Sequence, residues 1–234
     1  MAYSNLTNFN KNFIKKFTHN TRFNIAQKIL RDYSNDNISN VLDYGTGDGE
    51  FLKLLNKNFI DLKDISAYEP LVGRYNEVSS NISNDDNIFV YRDFKEIEKK
   101  FDAIFCMEVF EHLNEKMSLE ALSNISSLMN SNSILIISVP IETGLGGLLK
   151  NLVRIIIRQT HSGTNLKNLF KISFGFKISR DTNVDFISSH IGFSHNDLLK
   201  LVKKVGFNII KKTYSPFRFF GSPLNSQIFL VLKK

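Results

Sequence analysis

The stretch from Val41 to Phe51 constrains the fold more than any other part of the chain. It begins with apolar residues typical of a buried strand, continues through alternate glycines at Gly45, Gly47 and Gly49, and runs into apolar residues with helical spacing. Glycine allows the backbone to turn sharply and to come close to a ligand. A strand, a glycine-rich turn and a helix in this order predict an open α/β sheet that binds a nucleotide-like ligand at the carboxyl end of its first strand.

The glycine spacing does not match two common nucleotide-binding loops. A dinucleotide fingerprint, G-x-G-x-x-G, requires glycine where this chain has Glu50, and the Gly-Lys-Ser/Thr ending of a P-loop is absent. An acid at the strand end, Asp43, suits a cationic or hydroxyl-bearing ligand better than a pyrophosphate. The pattern D-x-G-x-G-x-G resembles motif I of the Rossmann-like class I S-adenosylmethionine-dependent methyltransferases. The alternative is an ordinary glycine-rich turn between a strand and a helix.

Strand-like segments alternate with helical segments along the rest of the chain, which indicates a parallel sheet. After the first strand, further strands are predicted at 65–70, 88–94, 101–107, 133–140, 207–214 and 226–232, and helices at 21–33, 119–129 and 197–205. The resemblance covers about residues 20–140 and 188–234. It implies one α/β domain, 1–234, with a doubly wound, mostly parallel seven-stranded sheet whose last strand is antiparallel. An N-terminal helical arm, 1–35, and an insertion, 141–189, are added to this core.

The resemblance also implies which residues hold the methyl donor. Glu69 ends the second strand, where a carboxylate can accept hydrogen bonds from both ribose hydroxyls. Asp93 and Phe94 would line the adenine pocket, and Arg22 would reach the carboxylate of the donor's methionine. The alternatives are a surface glutamate at 69 and a solvated helix charge at 22. The predicted donor-binding residues are Arg22, Asp43, Gly45, Gly47, Gly49, Glu69, Pro70, Asp93, Phe94 and Met107.

The candidate catalytic residues follow the fourth strand. Glu108, Glu111 and His112 have the spacing i, i+3, i+4, which would place them on one face of a helical turn. A base is needed to activate a hydroxyl acceptor. Together with His190 they would form a nitrogen and oxygen ligand set for Mg²⁺ or Mn²⁺. This set resembles the metal site of small-RNA 2′-O-methyltransferases, and its first three members resemble the ion-binding acids of ubiquinone-pathway O-methyltransferases. Alternatively, Glu111 pairs with a neighbour and His112 orients a loop or acts alone as the base.

The insertion is the most basic part of a chain with a net charge of +7. From Thr143 to Ser179 it contains no acid, and residues 148–158 form a predicted basic amphipathic helix. The insertion could cap the substrate pocket, lie on a membrane surface or pack on the sheet with its charges in water. Cys106 is the one cysteine, no signal peptide is evident, and no apolar run is long enough to span a membrane. A cytoplasmic location is therefore expected.

The resemblance to class I methyltransferases implies a methyltransferase, and we expect it to act on a small molecule. A hydroxyl acceptor is favoured, on a sugar, a nucleotide-sugar or a phenolic or quinone precursor, with the basic insertion facing an anionic or phosphorylated group. The first alternative is an RNA 2′-O-methyltransferase with a divalent metal, because a basic chain suits nucleic acid. The second alternative is a catalytically silent Rossmann-like binding subunit.

Overall fold

A computed structural model of the chain describes residues 19–33, 38–83, 85, 87–142, 187, 192–217 and 221–234. The basic helix predicted at 148–158, His190 and most of the N-terminal arm and insertion lie outside this set. Within the described residues, no helix has the length and hydropathy required to cross a bilayer.

Seven strands form a single sheet in the order β3-β2-β1-β4-β5-β7-β6. The strands are β1 (Asn40–Tyr44), β2 (Asp64–Tyr68), β3 (Ile88–Tyr91), β4 (Phe101–Met107), β5 (Met129–Pro140), β6 (Asn208–Ser215) and β7 (Gln227–Lys233). The first five strands pair in parallel, and β7 pairs antiparallel with both β5 and β6. The predicted fold class is therefore confirmed. The strand order reverses beside β1, which is where open α/β sheets bind ligands.

Five helices accompany the sheet in the described residues. They are α1 (19–32), α2 (Glu50–Asn58), α3 (Val72–Asn81), α4 (Glu115–Ser127) and α5 (His195–Lys204). Short 3₁₀ turns cover Phe94–Glu96, Phe110–His112 and Ser222–Leu224. Ser194 caps α5, because its hydroxyl accepts a hydrogen bond from the Asp197 backbone N–H at 3.2 Å.

Two hydrophobic cores cover the two faces of the sheet. Successive strand residues point to opposite faces, so Val41 belongs to the core beneath α1 and α2, whereas Leu42 belongs to the core beneath α4 and α5. Phe105 and Ile104 of β4 divide in the same way. The central strands are therefore buried on both sides, which explains their nearly continuous apolar sequences.

Two elements begin four residues earlier than the sequence predicts. The helix predicted to begin at 119 begins at Glu115, because the Asn114 side chain caps it by accepting from the Met117 N–H at 2.9 Å. The fifth strand begins at Met129 rather than 133. Met129 pairs with Phe101 of β4, and the polar residues that follow fall in a register shift, where the Ser133 hydroxyl donates to the Phe101 carbonyl at 2.6 Å. A side-chain hydrogen bond thus supports a strand start that apolar periodicity alone would place four residues later.

Candidate active site

The glycine-rich turn after β1 is held against neighbouring elements. Gly45 and Gly49 have φ angles of +82° and +79°, which glycine adopts without strain. A Cβ atom at Gly45 would lie 2.5 Å from a Val109 methyl carbon, and one at Gly49 would lie 2.6 Å from a Val78 methyl carbon. At these two positions glycine is therefore required both by backbone conformation and by packing.

Glu69 fastens this turn to the end of β2. Its two carboxylate oxygens accept hydrogen bonds from the backbone N–H groups of Gly47 and Leu71, each at 3.1 Å. The residue is 4% exposed, and burial raises the pKa of its carboxyl group. Each carboxylate oxygen has two lone pairs, so both can accept one further hydrogen bond. This geometry fits the ribose-binding role predicted from the sequence.

A cavity of about 380 Å³ opens beside Glu69 at the carboxyl edge of the sheet. Its volume lies within the range of small-molecule sites. Its lining residues are Tyr44, Gly45, Tyr68, Glu69, Pro70, Leu71, Arg74, Glu108, Val109, His112, Leu113, Met117, Glu120, Ala121 and Asn124. The cavity thus joins part of the glycine turn and the end of β2 to two of the three candidate catalytic residues.

Asp93 and Phe94 do not line this cavity. The Asp93 side chain is exposed and caps the following 3₁₀ turn by accepting from the Lys95 N–H at 3.0 Å. The Phe94 ring packs edge-on against Tyr68, with ring centroids 6.1 Å apart. Met107 ends β4 and is 8% exposed. The adenine contacts proposed for Asp93 and Phe94 remain predictions.

Asp43 lies buried at the end of β1, behind the cavity. Burial raises the pKa of its carboxyl group to about 7, although its hydrogen bond with Thr46 and the nearby Arg22 guanidinium act in the opposite direction. The folded protein therefore holds a proton at Asp43 through a pH range in which the unfolded chain has lost it.

We expect Asp43→Asn to change how stability depends on pH. Because the folded-state pKa is raised, the protonated carboxyl contributes fully below about pH 4, and this contribution is lost as pH rises through about 7. The amide that replaces the carboxyl group does not ionise. The free energy of unfolding of the variant, relative to that of the wild type, should therefore rise by up to about 4 kcal/mol between pH 4 and pH 8. Urea unfolding followed by circular dichroism measures this difference. Asp61→Asn, at an exposed site, is the control; a variant-to-wild-type difference that is constant with pH would contradict the assignment.

Glu108 has an unusual backbone. Its φ angle of 57° is the one positive value for a non-glycine among the described residues. Its N–H donates to the Ser138 carbonyl at 2.9 Å, and its Oε1 accepts from the Gln227 side-chain N–H at 2.7 Å. Its Oε2 lies 3.5 Å from a guanidinium nitrogen of Arg22. The residue after β4 is therefore held from three directions at the rim of the cavity.

Arg22 projects from α1 toward this carboxylate. Its side chain is 16% exposed, and its Nε has no hydrogen-bond partner among the described residues. The Glu108 contact at 3.5 Å is long for a charge-assisted hydrogen bond. Arg22 is not among the residues that line the cavity, so its contact with the donor carboxylate remains a prediction.

Glu111 lies directly behind Glu108 and is 0% exposed. Burial and the nearby Glu108 charge raise the pKa of the Glu111 carboxyl well above its usual range. At neutral pH Glu111 is therefore a neutral carboxylic acid beside Glu108. Of the two carboxyl groups, only Glu108 lines the cavity.

His112 is anchored by Ile187, a residue near the end of the insertion. Its Nδ1 lies 2.8 Å from the Ile187 carbonyl, and the Ile187 N–H donates to the His112 carbonyl at 2.9 Å. Because a carbonyl can only accept, Nδ1 carries the proton, and Nε2 bears the lone pair when the ring is neutral. His112 also lines the cavity, so it is a second candidate base.

The predicted one-face arrangement of Glu108, Glu111 and His112 is wrong. The left-handed backbone at Glu108 interrupts the helical continuation, and the next turn is a 3₁₀ turn in which Glu111 points into the core. Over the described ranges, no group of three or more histidine, cysteine, aspartate or glutamate side chains could hold a metal ion. His190 lies outside these ranges. The described residues therefore do not fit the predicted Mg²⁺ or Mn²⁺ site.

The sheet order and a glycine-turn cavity at its switch point define a Rossmann-like class I methyltransferase, whose methyl donor is S-adenosylmethionine. A sequence model described as a methyltransferase domain matches residues 17–212. The chain therefore belongs to this methyltransferase-domain family and is an enzyme. A search of proteins with curated functions found no match.

Solved structures of methyltransferases share the fold. The plantazolicin methyltransferase BpumL, in complex with SAH, has a TM-score of 0.61 at 14% identity, covering 100% of this chain and 91% of that one. An S-adenosylmethionine-dependent methyltransferase from Clostridium acetobutylicum ATCC 824 has a TM-score of 0.58 at 14% identity, covering 94% and 98%. Magnesium protoporphyrin IX methyltransferase (ChlM) from Synechocystis PCC 6803, with bound SAH, has a TM-score of 0.57 at 14% identity, covering 92% and 83%.

Proposed function

We propose that this enzyme methylates a hydroxyl group of a small molecule, such as a sugar, a nucleotide-sugar or a phenolic or quinone precursor. The observation that carries the proposal is the composition of the cavity. Glu69 and Gly45 line it together with the Glu108 carboxylate and the His112 imidazole. A donor-binding edge and two candidate proton acceptors therefore share one cavity, as transfer to a group that must lose a proton requires.

Under this proposal, residues at the carboxyl ends of the strands bind the donor. Glu69 has lone pairs left for two ribose hydroxyls, and Pro70 and Leu71 continue the cavity wall beside it. Asp43, Gly47, Gly49 and Met107 support this edge from behind. When bound, S-adenosylmethionine supplies an activated methyl group with a neutral sulfide as the leaving group.

The protein's remaining task is to orient the acceptor and remove its proton. Glu108 is the favoured base, because its carboxylate lines the cavity and Glu111 does not. Glu111 acts only through its neighbour Glu108, because it is fully buried and does not reach the cavity. His112 Nε2 is the second candidate for the same step, since its ring orientation is fixed by Ile187.

The basic insertion is proposed to supply substrate choice. Between Thr143 and Ser179 it has basic residues and no acid, which suits an anionic or phosphorylated acceptor, and the basic amphipathic pattern of residues 148–158 suits contact with an anionic membrane surface. A cytoplasmic location, inferred from cysteine usage, is part of this proposal.

The test is a screen for methyl transfer. The protein is incubated with S-adenosylmethionine and with candidate hydroxyl, amine and carboxylate acceptors, and products are examined by mass spectrometry. A gain of one methyl group on a hydroxyl compound supports the proposal. Transfer to amines alone would overturn the choice of acceptor atom, and donor binding without transfer to any acceptor class would favour a silent binding subunit.

The RNA alternative draws on the surface charge of the described residues. Lys203 and Lys204 end α5, and Lys212 follows on the neighbouring β6; all three carry their charge on the protein surface. An RNA substrate would show binding that weakens steeply with salt.

If a divalent ion assists, as the sequence pattern suggested, EDTA should abolish turnover and Mg²⁺ or Mn²⁺ should restore it. We expect full turnover in EDTA, because the described residues do not fit the ion.

A further inference from the structure

Gln227 is a buried glutamine that contacts the proposed acceptor site. It is the first residue of β7 and is 5% exposed. Its Nε2 donates to Glu108 Oε1 at 2.7 Å, although the two residues are 119 positions apart in the chain. The contact joins the start of β7 to the residue that follows β4.

The position of the Gln227 backbone is fixed by the sheet. Gln227 pairs with Pro140 of β5 on one side and with Ser215 of β6 on the other. Two residues earlier, the buried Asn225 side chain closes the preceding turn, accepting from the Phe217 N–H at 2.6 Å and donating to the Phe217 carbonyl at 2.7 Å. Side chains carried on strands are placed more accurately than those on loops. The Gln227 amide is therefore well suited to hold another group in place.

Glu108 is a residue that needs such support. A left-handed backbone at a non-glycine residue is strained and persists where surrounding contacts over-determine it. Here the backbone is held by Ser138, and the side chain by Gln227 and Arg22. Of the two side-chain contacts, the one to Gln227 is shorter by 0.8 Å (3.5 − 2.7 Å).

We propose that Gln227 is a positioning residue that orients the Glu108 carboxylate for proton removal from the acceptor. The proposal rests on the proposed function. An amide donates a hydrogen bond without ionising, so Gln227 fixes Oε1 and leaves the negative charge on Glu108. As the acceptor oxygen bonds to the methyl carbon, the electron pair of the breaking carbon–sulfur bond stays on sulfur and the hydroxyl proton passes to Glu108.

The first test is Gln227→Met, which keeps the side-chain length and removes the donor. A hydrogen bond to a charged group contributes about 1.5–3 kcal/mol, so kcat should fall about 10- to 100-fold. The acceptor KM and the affinity for S-adenosylhomocysteine should stay at wild-type values. The matched control is Gln27→Met, which removes a partly buried hydrogen bond of 2.7 Å between Asn58 and Gln27 of α1. That control should lose stability and keep kcat.

A double-mutant cycle tests whether Gln227 acts through Glu108. On a Glu108→Gln background, Gln227→Met should cause no further loss, because the group it positions is already absent. If the two substitutions lower kcat independently, so that their effects on the activation free energy add in full, Gln227 acts elsewhere and the inference is overturned. Wild-type kcat in the single Gln227→Met variant would overturn it as well.

Gln227→Glu is a second variant in case Gln227→Met folds poorly. Its new carboxyl group can donate to Glu108 only while protonated, so kcat should fall with rising pH over a range in which wild-type kcat does not. The charged and titratable groups in this network are Arg22 of α1, which faces Glu108, Glu111 behind it, His112 on the same cavity wall and Asp43 of β1, which interacts with Arg22. A pH profile identical to that of the wild type would count against the inference.

The outcomes separate the inference from the proposed function. If wild-type protein fails to bind the donor or to methylate any hydroxyl, the proposed function fails. If wild-type protein methylates a hydroxyl and Gln227→Met does so equally fast, only the role of Gln227 fails.

Discussion

Replacing Glu69 with alanine is expected to weaken donor binding about 100-fold, because two hydrogen bonds from ribose hydroxyls to a carboxylate contribute about 3 kcal/mol. The Gly47 N–H also loses its acceptor, so the glycine turn becomes less ordered. Isothermal titration of the variant with S-adenosylhomocysteine measures the effect.

The control for Glu69→Ala is Glu77→Ala, which removes an exposed glutamate from α3. This control should bind the donor as the wild type does. Circular dichroism establishes that both variants are folded. A folded Glu69→Ala variant with wild-type donor affinity would rule out the ribose-binding role of this acid.

Glu108→Gln is expected to reduce kcat by about 10²- to 10⁴-fold, the usual contribution of a general base. The amide has nearly the same size, so the cavity keeps its shape, but it cannot accept the acceptor proton. Donor affinity should not change. Steady-state kinetics with the acceptor found by mass spectrometry, together with donor titration, separate the two quantities.

Glu115→Gln makes the same chemical change at an exposed position in the first turn of α4 and should leave kcat unaltered. Wild-type kcat in Glu108→Gln would transfer the role of base to His112. His112→Gln would then be expected to show the loss instead, because His112 is the other candidate base that lines the cavity.

The fold could be predicted because its sequence signals are local. The apolar pairs Val41–Leu42 and Ile104–Phe105 belong to strands buried on both faces, and such strands have continuous apolar sequences. The glycines of the turn are required by their own backbone angles and by adjacent side chains. The apolar pattern places the start of α4 too late, because the helix begins at a cap formed by the polar side chain of Asn114.

The candidate site could be predicted only in part. Glu69 and Glu108 follow strands at one edge of the sheet, so their proximity follows from the parallel topology. The left-handed conformation of Glu108 depends on contacts with Ser138, Gln227 and Arg22, which are remote in sequence. Helical spacing therefore gave the wrong arrangement for Glu111 and His112.

Gln227 and Ile187 carried no signal that could have identified them. In the sequence, Gln227 is simply a polar residue at the start of a strand. Its role depends on the pairing of β7 between β5 and β6. Ile187 contacts His112 through its backbone, which any residue type could provide. Only the folded topology brings these groups to the site.

Calorimetric titration of the wild-type protein with S-adenosylmethionine, NAD and ATP tests the central claim most directly. The geometry of the glycine turn, Glu69 and the adjoining cavity predicts saturable binding of one S-adenosylmethionine per chain, with no displacement by NAD or ATP. Binding of NAD or ATP in preference, or failure to bind S-adenosylmethionine, would contradict it.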